Sequence, residues 1–404
     1  MHCRSCDTPI TAFMSFGRQP IANGFLAREQ IPNEQFYEME VAVCPHCSLF
    51  QLIEQPAPET MFHADYAFFS QTSRGMQDHF EAFAKWVMAE KLKAKDPFVL
   101  ELGSNDGIML RHFAAAGVRC LGIEPSANVA AAARRIGVDT ISEFFSAALA
   151  RRLRAERGPV DVMLGANVMC HIPAIRDIAA GVVELLKPEG LLIFEDPYLG
   201  DVIEKTSYDQ IYDEHVFLFS VRSVAAAFGP FGLAVVDVLP QSTHGGSMRY
   251  VLGRPAHHPV SARVTAQIAL EDGLGLSDPK TFERFREKCE RSRRALRELL
   301  VDLAGQGKRV VGYGATSKST TIMCYSGVTP DLIEFISDTT PIKQNKLSPG
   351  AHIPVLPPER FWSNYPDYAV LFAWNHAKEI MARETEFIAR GGKWIVHVPE
   401  VHIV

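Results

Sequence analysis

Residues 98–107 read FVLELGSNDG, an apolar run that stops in a turn bounded by Gly103 and Gly107, with a helical pattern over 107–116 behind it. Strand, glycine turn and helix in that order make a ligand-type unit. Glycine lets the backbone approach a bound molecule closely, and the start of a helix offers unpaired amides. The same rhythm continues outward. VRCLGIEP (118–125) precedes a helix around 126–136, VDVMLGANV (160–168) precedes a helix around 174–187, and LLIFEDPY (191–198) closes the series. Such alternation predicts a parallel, doubly wound α/β sheet of Rossmann-like form.

In such sheets ligands bind outside the carboxyl ends of the strands. The turn is spaced G-x-x-x-G and lacks the G-x-G-x-x-G of a dinucleotide fingerprint. Roughly 20 residues on, the second strand ends in Glu124 and Pro125, where a carboxylate can accept both hydroxyls of a ribose. An acidic residue there without a diphosphate-type fingerprint favours S-adenosylmethionine over NAD; a structural turn in a fold that binds something else is the plainer alternative. Candidate cofactor residues are Glu101, Gly103, Asn105, Asp106, Gly107, Glu124 and Pro125, with Asn167 from the third strand end, GANVMCHIP. His171 shares that edge and is a secondary catalytic candidate, although a lone histidine at a strand end is more often a hydrogen-bonded structural residue.

The chain has 404 residues, enough for two or three domains, with 47% hydrophobic and 22% charged residues. A formal charge of −6 argues against a nucleic-acid binder, which needs a basic face. No run approaches the roughly 18 apolar residues of a membrane helix. MHCRSCDTPI at the start carries no signal pattern, so a cytoplasmic protein is expected. Four of the eight cysteines fall into two pairs, Cys3-x-x-Cys6 and Cys44-x-x-Cys47. Two residues between cysteines let both sulfurs face one ion, and two such turns close a tetrahedron with no open position. A structural zinc is therefore expected; a redox C-x-x-C normally comes singly at a strand–helix junction. His2 and His46 are not needed as ligands.

EDPYLGDVIEKTSYDQIYDEHVFLFS (195–220) crowds carboxylates, tyrosines and a histidine beside Phe217, Leu218 and Phe219. His215 is suited to take and return a proton, Glu214 to orient it, and Tyr212 to donate to a developing oxyanion. A solvated loop is the competing reading. Residues 260–304 predict a helical connector whose Arg/Glu run is a solvated face. KRVVGYGATSKST (308–320) then opens a second, smaller α/β region, continued by LIEFISD, YAVLFAW and KWIVHVPE. Its turn lacks the second glycine of a P-loop, Ser317 standing there, so nucleotide hydrolysis is not expected. A backbone nest plus Lys318 still suits a diphosphate.

Taken in order, CRSC…CPHC, ELGSNDG, GIEPS, ANVMCHI, PYLGDVIEKTSYDQIYDEH, HGGSMRY, GYGATSKST, PIKQNKLSPGAHIPV and AWNHAKEI resemble the NDP-hexose C-methyltransferases of deoxysugar biosynthesis along essentially the whole chain. The resemblance implies a small N-terminal zinc module (1–60), a central methyltransferase domain (61–258), a helical connector (259–300) and a C-terminal Rossmann-like domain (301–404). It implies S-adenosylmethionine and structural zinc as cofactors. The substrate it implies is a 4-keto deoxysugar nucleotide, methylated at C3 after His215 of the Tyr212-Asp213-Glu214-His215 motif takes the proton. Within the matching stretches the implied substrate residues are Tyr198, Lys205, His244, Gly245, Tyr313, Gly314, Thr316, Lys318, Lys343 and Asn375. A monomer is feasible at this size.

Family members often read close to YHEHxSYxS here. In this chain Asp213, Phe217 and Leu218 replace polar residues and the second tyrosine is missing, so altered hydrogen bonding around the sugar is expected. Two alternatives remain: methylation of a sugar hydroxyl, and a nucleotide-binding zinc scaffold without catalysis.

Overall fold

The computed structural model describes residues 1–61 and 74–404. The helix Arg74–Glu90 follows the residues that are not described. Strands β1 (Ala12–Pro20), β2 (Phe36–Val43) and β3 (Phe50–Leu52) form an antiparallel sheet. Cys3 and Cys6 precede it, and Cys44 and Cys47 sit in the turn between β2 and β3.

The central sheet is built from β4 (Phe98–Leu102), β5 (Arg119–Ile123), β6 (Thr140–Ile141), β7 (Val160–Ala166) and β8 (Leu186–Pro197), all parallel. β4 is buried at all five positions, as expected of a strand covered on both faces. Next comes β9 (Phe217–Leu218), which leaves this sheet and pairs with β3. β10 (Ala234–Gln241) and β11 (Ser247–Gly253) then add an antiparallel edge, giving the order β10-β11-β8-β7-β4-β5-β6. The order reverses at β4, which opens a crevice beside Gly103.

The connector is two helices, Ala262–Leu274 and Pro279–Gly305. Gly275, at φ +70°, ends the first. Pro279 and the Asp278 side chain, which accepts from the Lys280 amide at 3.0 Å, start the second. The second helix is not simply solvated. Phe282, Phe285, Cys289, Leu296, Leu300 and Leu303 bury one stripe, and the Arg/Glu run occupies the other. Its inner face reaches the zinc module, with the Phe13 and Phe282 rings 5.3 Å apart.

The last sheet repeats the central plan. β12 (Val310–Tyr313), β13 (Ile336–Ser337), β14 (Val355–Leu356), β15 (Tyr368–Leu371) and β16 (Lys393–Val396) are parallel, with β17 (His402–Ile403) as an antiparallel edge. The order β14-β13-β12-β15-β16-β17 reverses at β12, beside Gly314. Among the described residues no helix is long and apolar enough to cross a membrane.

Candidate active site

One cavity joins the carboxyl edge of the central sheet to that of the C-terminal sheet. Its wall takes Gly103, Asn105, Glu124, Pro125, Asn167 and His171 from the first, and Thr316, Lys318, Lys343 and Asn375 from the second. Tyr212, Glu214 and His244 lie on the same wall.

The cofactor end is shaped by backbone. Gly103 has φ +60°, and a Cβ there would lie 2.6 Å from Val168 Cγ2, so only glycine fits. Both Glu124 oxygens hold the turn, accepting the amides of Asn105 at 3.0 Å and Ser126 at 2.8 Å. Each keeps lone-pair capacity for a ribose hydroxyl. Burial raises the Glu124 carboxyl above its usual range. Asn167 is held at φ +56° by its amide, which donates to the Glu195 carbonyl at 2.6 Å. Its buried Oδ1 has no hydrogen-bond partner among the described residues. An adenosine cofactor with polar edges fits this cradle. Glu101, Asp106 and Gly107, expected at the cofactor, do not line the cavity. Glu101 is buried beneath the turn, its carboxyl raised well above the usual range by burial and by Asp106 and Glu124.

The motif forms a buried relay. His215 Nδ1–H donates to the Gln210 carbonyl at 2.7 Å, which leaves Nε2 as the acceptor for Tyr212 Oη–H at 2.8 Å. Tyr212 faces the cavity while His215 lies behind it. Burial holds His215 well below its usual pKa, so it is neutral at neutral pH. The His171 ring stacks on it with centroids 5.2 Å apart, and burial pushes His171 down to about 3.

Residues that replace the usual family pattern have structural jobs. Asp213 accepts the Ala22 amide on its carboxylate. Phe217 and Leu218 are fully buried in β9 against β3. Neither Phe217 nor Leu218 lines the cavity.

Five expected substrate residues also lie off the wall. Tyr198 Oη donates to Glu271 at 3.0 Å, and Tyr313 Oη donates to Glu384 at 2.5 Å. Lys205 Nζ holds the Gly245 carbonyl at 2.5 Å. Gly245 and Gly314 allow close approach: a Cβ would lie 2.2 Å from the Trp374 ring or 2.9 Å from Ala373 Cβ. Trp374 in turn donates to Asp209 Oδ2 at 2.6 Å, tying the C-terminal sheet to the motif loop. Conversely, Asn23, Phe80, Phe144 and His376 line the cavity without having been singled out. Phe80 is a buried position of the helix Arg74–Glu90. Nothing near Asn23 in sequence announces a partner at position 214.

Lys318 enters the cavity from the first turn of the helix Ser317–Ser326, and its Nζ has no hydrogen-bond partner among the described residues. Burial pushes its pKa down to about 8, against the pull of Asp209. Lys343 Nζ donates to the Ala315 carbonyl at 2.8 Å, bracing the Gly314 turn.

In the N-terminal module the Cys3 and Cys47 sulfurs are 3.6 Å apart, and those of Cys6 and Cys44 are 3.4 Å apart. All four lie within 4.8 Å of one another. A tetrahedral ion with Zn–S bonds of about 2.3 Å sets S···S near 3.8 Å, so the four thiolates fit zinc.

Three family models match in succession: a zinc binding domain over residues 3–62, a methyltransferase domain over 68–238 and a C-methyltransferase C-terminal domain over 242–399. The C-methyltransferase NovU of Streptomyces niveus is 35% identical over 407 residues, spanning 100% of this chain and 96% of NovU. The chain belongs to the C-methyltransferase family. The C-methyltransferase therefore uses S-adenosylmethionine and carries a four-cysteine zinc-binding domain. Membership sets aside the non-catalytic scaffold, and it favours carbon over oxygen as the methylated atom. Solved structures also align. Magnesium protoporphyrin IX methyltransferase from Synechocystis PCC 6803 is 15% identical with a TM-score of 0.33, over 45% of this chain and 80% of that one. A SAM-dependent methyltransferase from Anabaena variabilis ATCC 29413 is 12% identical with a TM-score of 0.36, over 44% and 85%.

Proposed function

We propose that the C-methyltransferase methylates C3 of a 4-keto deoxysugar nucleotide. The observation that carries this is one cavity that joins the Gly103–Glu124 crevice, Tyr212 at the head of its relay to His215, and Lys318, whose Nζ has no hydrogen-bond partner among the described residues. In this reading residues 1–60 are the zinc module, 61–258 the cofactor half, 259–300 the connector and 301–404 the half that holds the acceptor.

Gly103, Asn105, Glu124 and Asn167 would hold S-adenosylmethionine, which supplies a methyl group on a positively charged sulfur. The chain's own residues prepare the acceptor. A C–H next to a ketone becomes acidic only when the enolate oxygen is stabilised. Tyr212 Oη takes that proton as its own hydroxyl proton passes to the His215 Nε2 lone pair, fixed in place by the Nδ1–H bond to Gln210. Lys343, His244 and Asn375 place donors on the same wall for the developing oxyanion. Lys318 and the start of its helix receive the diphosphate. By holding both reactants, these residues would set the nucleophilic carbon beside the methyl group that S-adenosylmethionine would supply, and positioning supplies much of the rate.

Deuterated water tests the proton step. Enzyme with S-adenosylhomocysteine and a TDP-4-keto-6-deoxyhexose should wash deuterium into C3. No exchange at a carbon flanking the ketone would contradict the reading, and exchange confined to C5 would move the reaction to the other side of the carbonyl.

Lys318 gives a pH signature. The protonated amine attracts diphosphate, so kcat/KM for the acceptor should fall as pH rises through about 8 in the free enzyme. Lys318→Met should weaken acceptor binding by about tenfold or more and abolish that limb, because a buried charge-assisted contact contributes about 1.5–3 kcal/mol. An unchanged alkaline limb in the variant would remove Lys318 from the diphosphate.

A further inference from the structure

The zinc-bearing module reaches into the reaction centre. After β1 the chain turns through Ala22 and Asn23. Ala22 N–H donates to the Asp213 carboxylate oxygens at 3.2 and 3.3 Å, and Asn23 Nδ2–H donates to Glu214 Oε1 at 2.5 Å. Gln55, from the same module, donates to the Asp213 carbonyl at 3.2 Å. The module thus grips the two residues immediately before His215. Its loop is braced from behind, because the Ala22 carbonyl accepts Thr320 Oγ1–H at 2.9 Å and Lys343 Nζ lies 5.0 Å from the centre of the Phe25 ring. Both Asn23 and Glu214 line the cavity.

We propose that Asn23 is a positioning residue for the Glu214 carboxylate, so that the zinc module sets the geometry of a reaction centre 191 residues away in sequence. A carboxylate carried on flexible torsions keeps one orientation only if a donor fixes it. An amide N–H to a carboxylate is a charge-assisted bond, stronger than a neutral one, and it orients the anion without cancelling its charge. Displacing a reacting or orienting group by about 1 Å can cost on the order of 10² in rate. Zinc fixes the ends of the sheet that carries the loop, β3 pairs with β9 just beyond His215, and Asn23 completes the linkage at the carboxylate. The inference rests on the proposed function above, with Glu214, which lines the same cavity as Tyr212, counted in its reaction centre.

Three variants of the full-length zinc-loaded protein test it, assayed with S-adenosylmethionine and a TDP-4-keto-6-deoxyhexose. Asn23→Ala should lower kcat about tenfold or more while zinc content, Tm and cofactor KM stay unchanged. Asn23→Asp sets two carboxylates side by side, which cannot both ionise comfortably. A shared proton restores the contact at low pH and is lost at high pH, so the activity of Asn23→Asp should fall as pH rises, displaced to the acid side of the parent profile. Glu214→Gln, run in parallel, locates a failure. If it is inactive while Asn23→Ala matches the parent, the positioning role is overturned. If Glu214→Gln is itself fully active, the reading of the site falls and takes this inference with it. Should Asn23→Ala lose zinc or fold, the Asn23→Asp profile decides: an acid-shifted profile supports the role, and the parent profile overturns it.

Discussion

Replacing His215 with asparagine is expected to lower turnover by about 10²-fold or more while S-adenosylmethionine binds with its parent affinity. Asparagine keeps much of the ring's volume and can still donate to the Gln210 carbonyl, so the buried packing on His171 survives. What it lacks is the basic nitrogen that faces Tyr212 Oη at 2.8 Å. The crevice of Gly103 and Glu124 is made by other elements, which is why cofactor affinity and turnover should separate. Single-turnover rates read the loss, and calorimetry reads the cofactor. Turnover close to the parent's would remove His215 from proton transfer and leave Tyr212 to be activated by another group.

Cys44→Ser should empty the zinc site and unfold the N-terminal module. Structural zinc contributes an apparent binding free energy of roughly 10–16 kcal/mol, comparable to the whole stability of a domain at about 5–15 kcal/mol. Cys44 is almost fully buried and its sulfur lies 3.4 Å from that of Cys6, so a hydroxyl can neither ligate as well nor be left there without cost. Because β3 pairs with β9 and Ala22 holds Asp213, loss of the module should carry to the motif loop and abolish methyl transfer. Metal analysis, thermal melting and activity measured on one preparation check this. Full zinc content with normal melting would show that three cysteines suffice.

Much of the plan was legible because it rests on local chemistry. The cysteine pairs announce their ion by spacing alone. Gly103 and Glu124 are separated by one strand–helix–strand unit, so both could be placed on one sheet edge before any packing was known. The same holds for Gly314 and Lys318, which share one strand–helix turn. The roles of Tyr198, Tyr313 and Lys205 were less readable. A short motif carries scaffold and site residues together, and only packing shows that these three turn to Glu271, Glu384 and the Gly245 carbonyl, all distant in sequence. Phe217 and Leu218 looked like losses at a substrate site, yet they are an apolar strand that β3 needs as a neighbour. Asn23 was invisible, since its contact with Glu214 is made by the folded chain across 191 positions.

The most direct measurement is the position of the transferred methyl group. With S-adenosylmethionine labelled with carbon-13 in its methyl group and a TDP-4-keto-6-deoxyhexose as acceptor, the product spectrum should show the label bonded to C3, beside the ketone. Label bonded to oxygen, or no transfer to any keto-sugar nucleotide, would contradict the account.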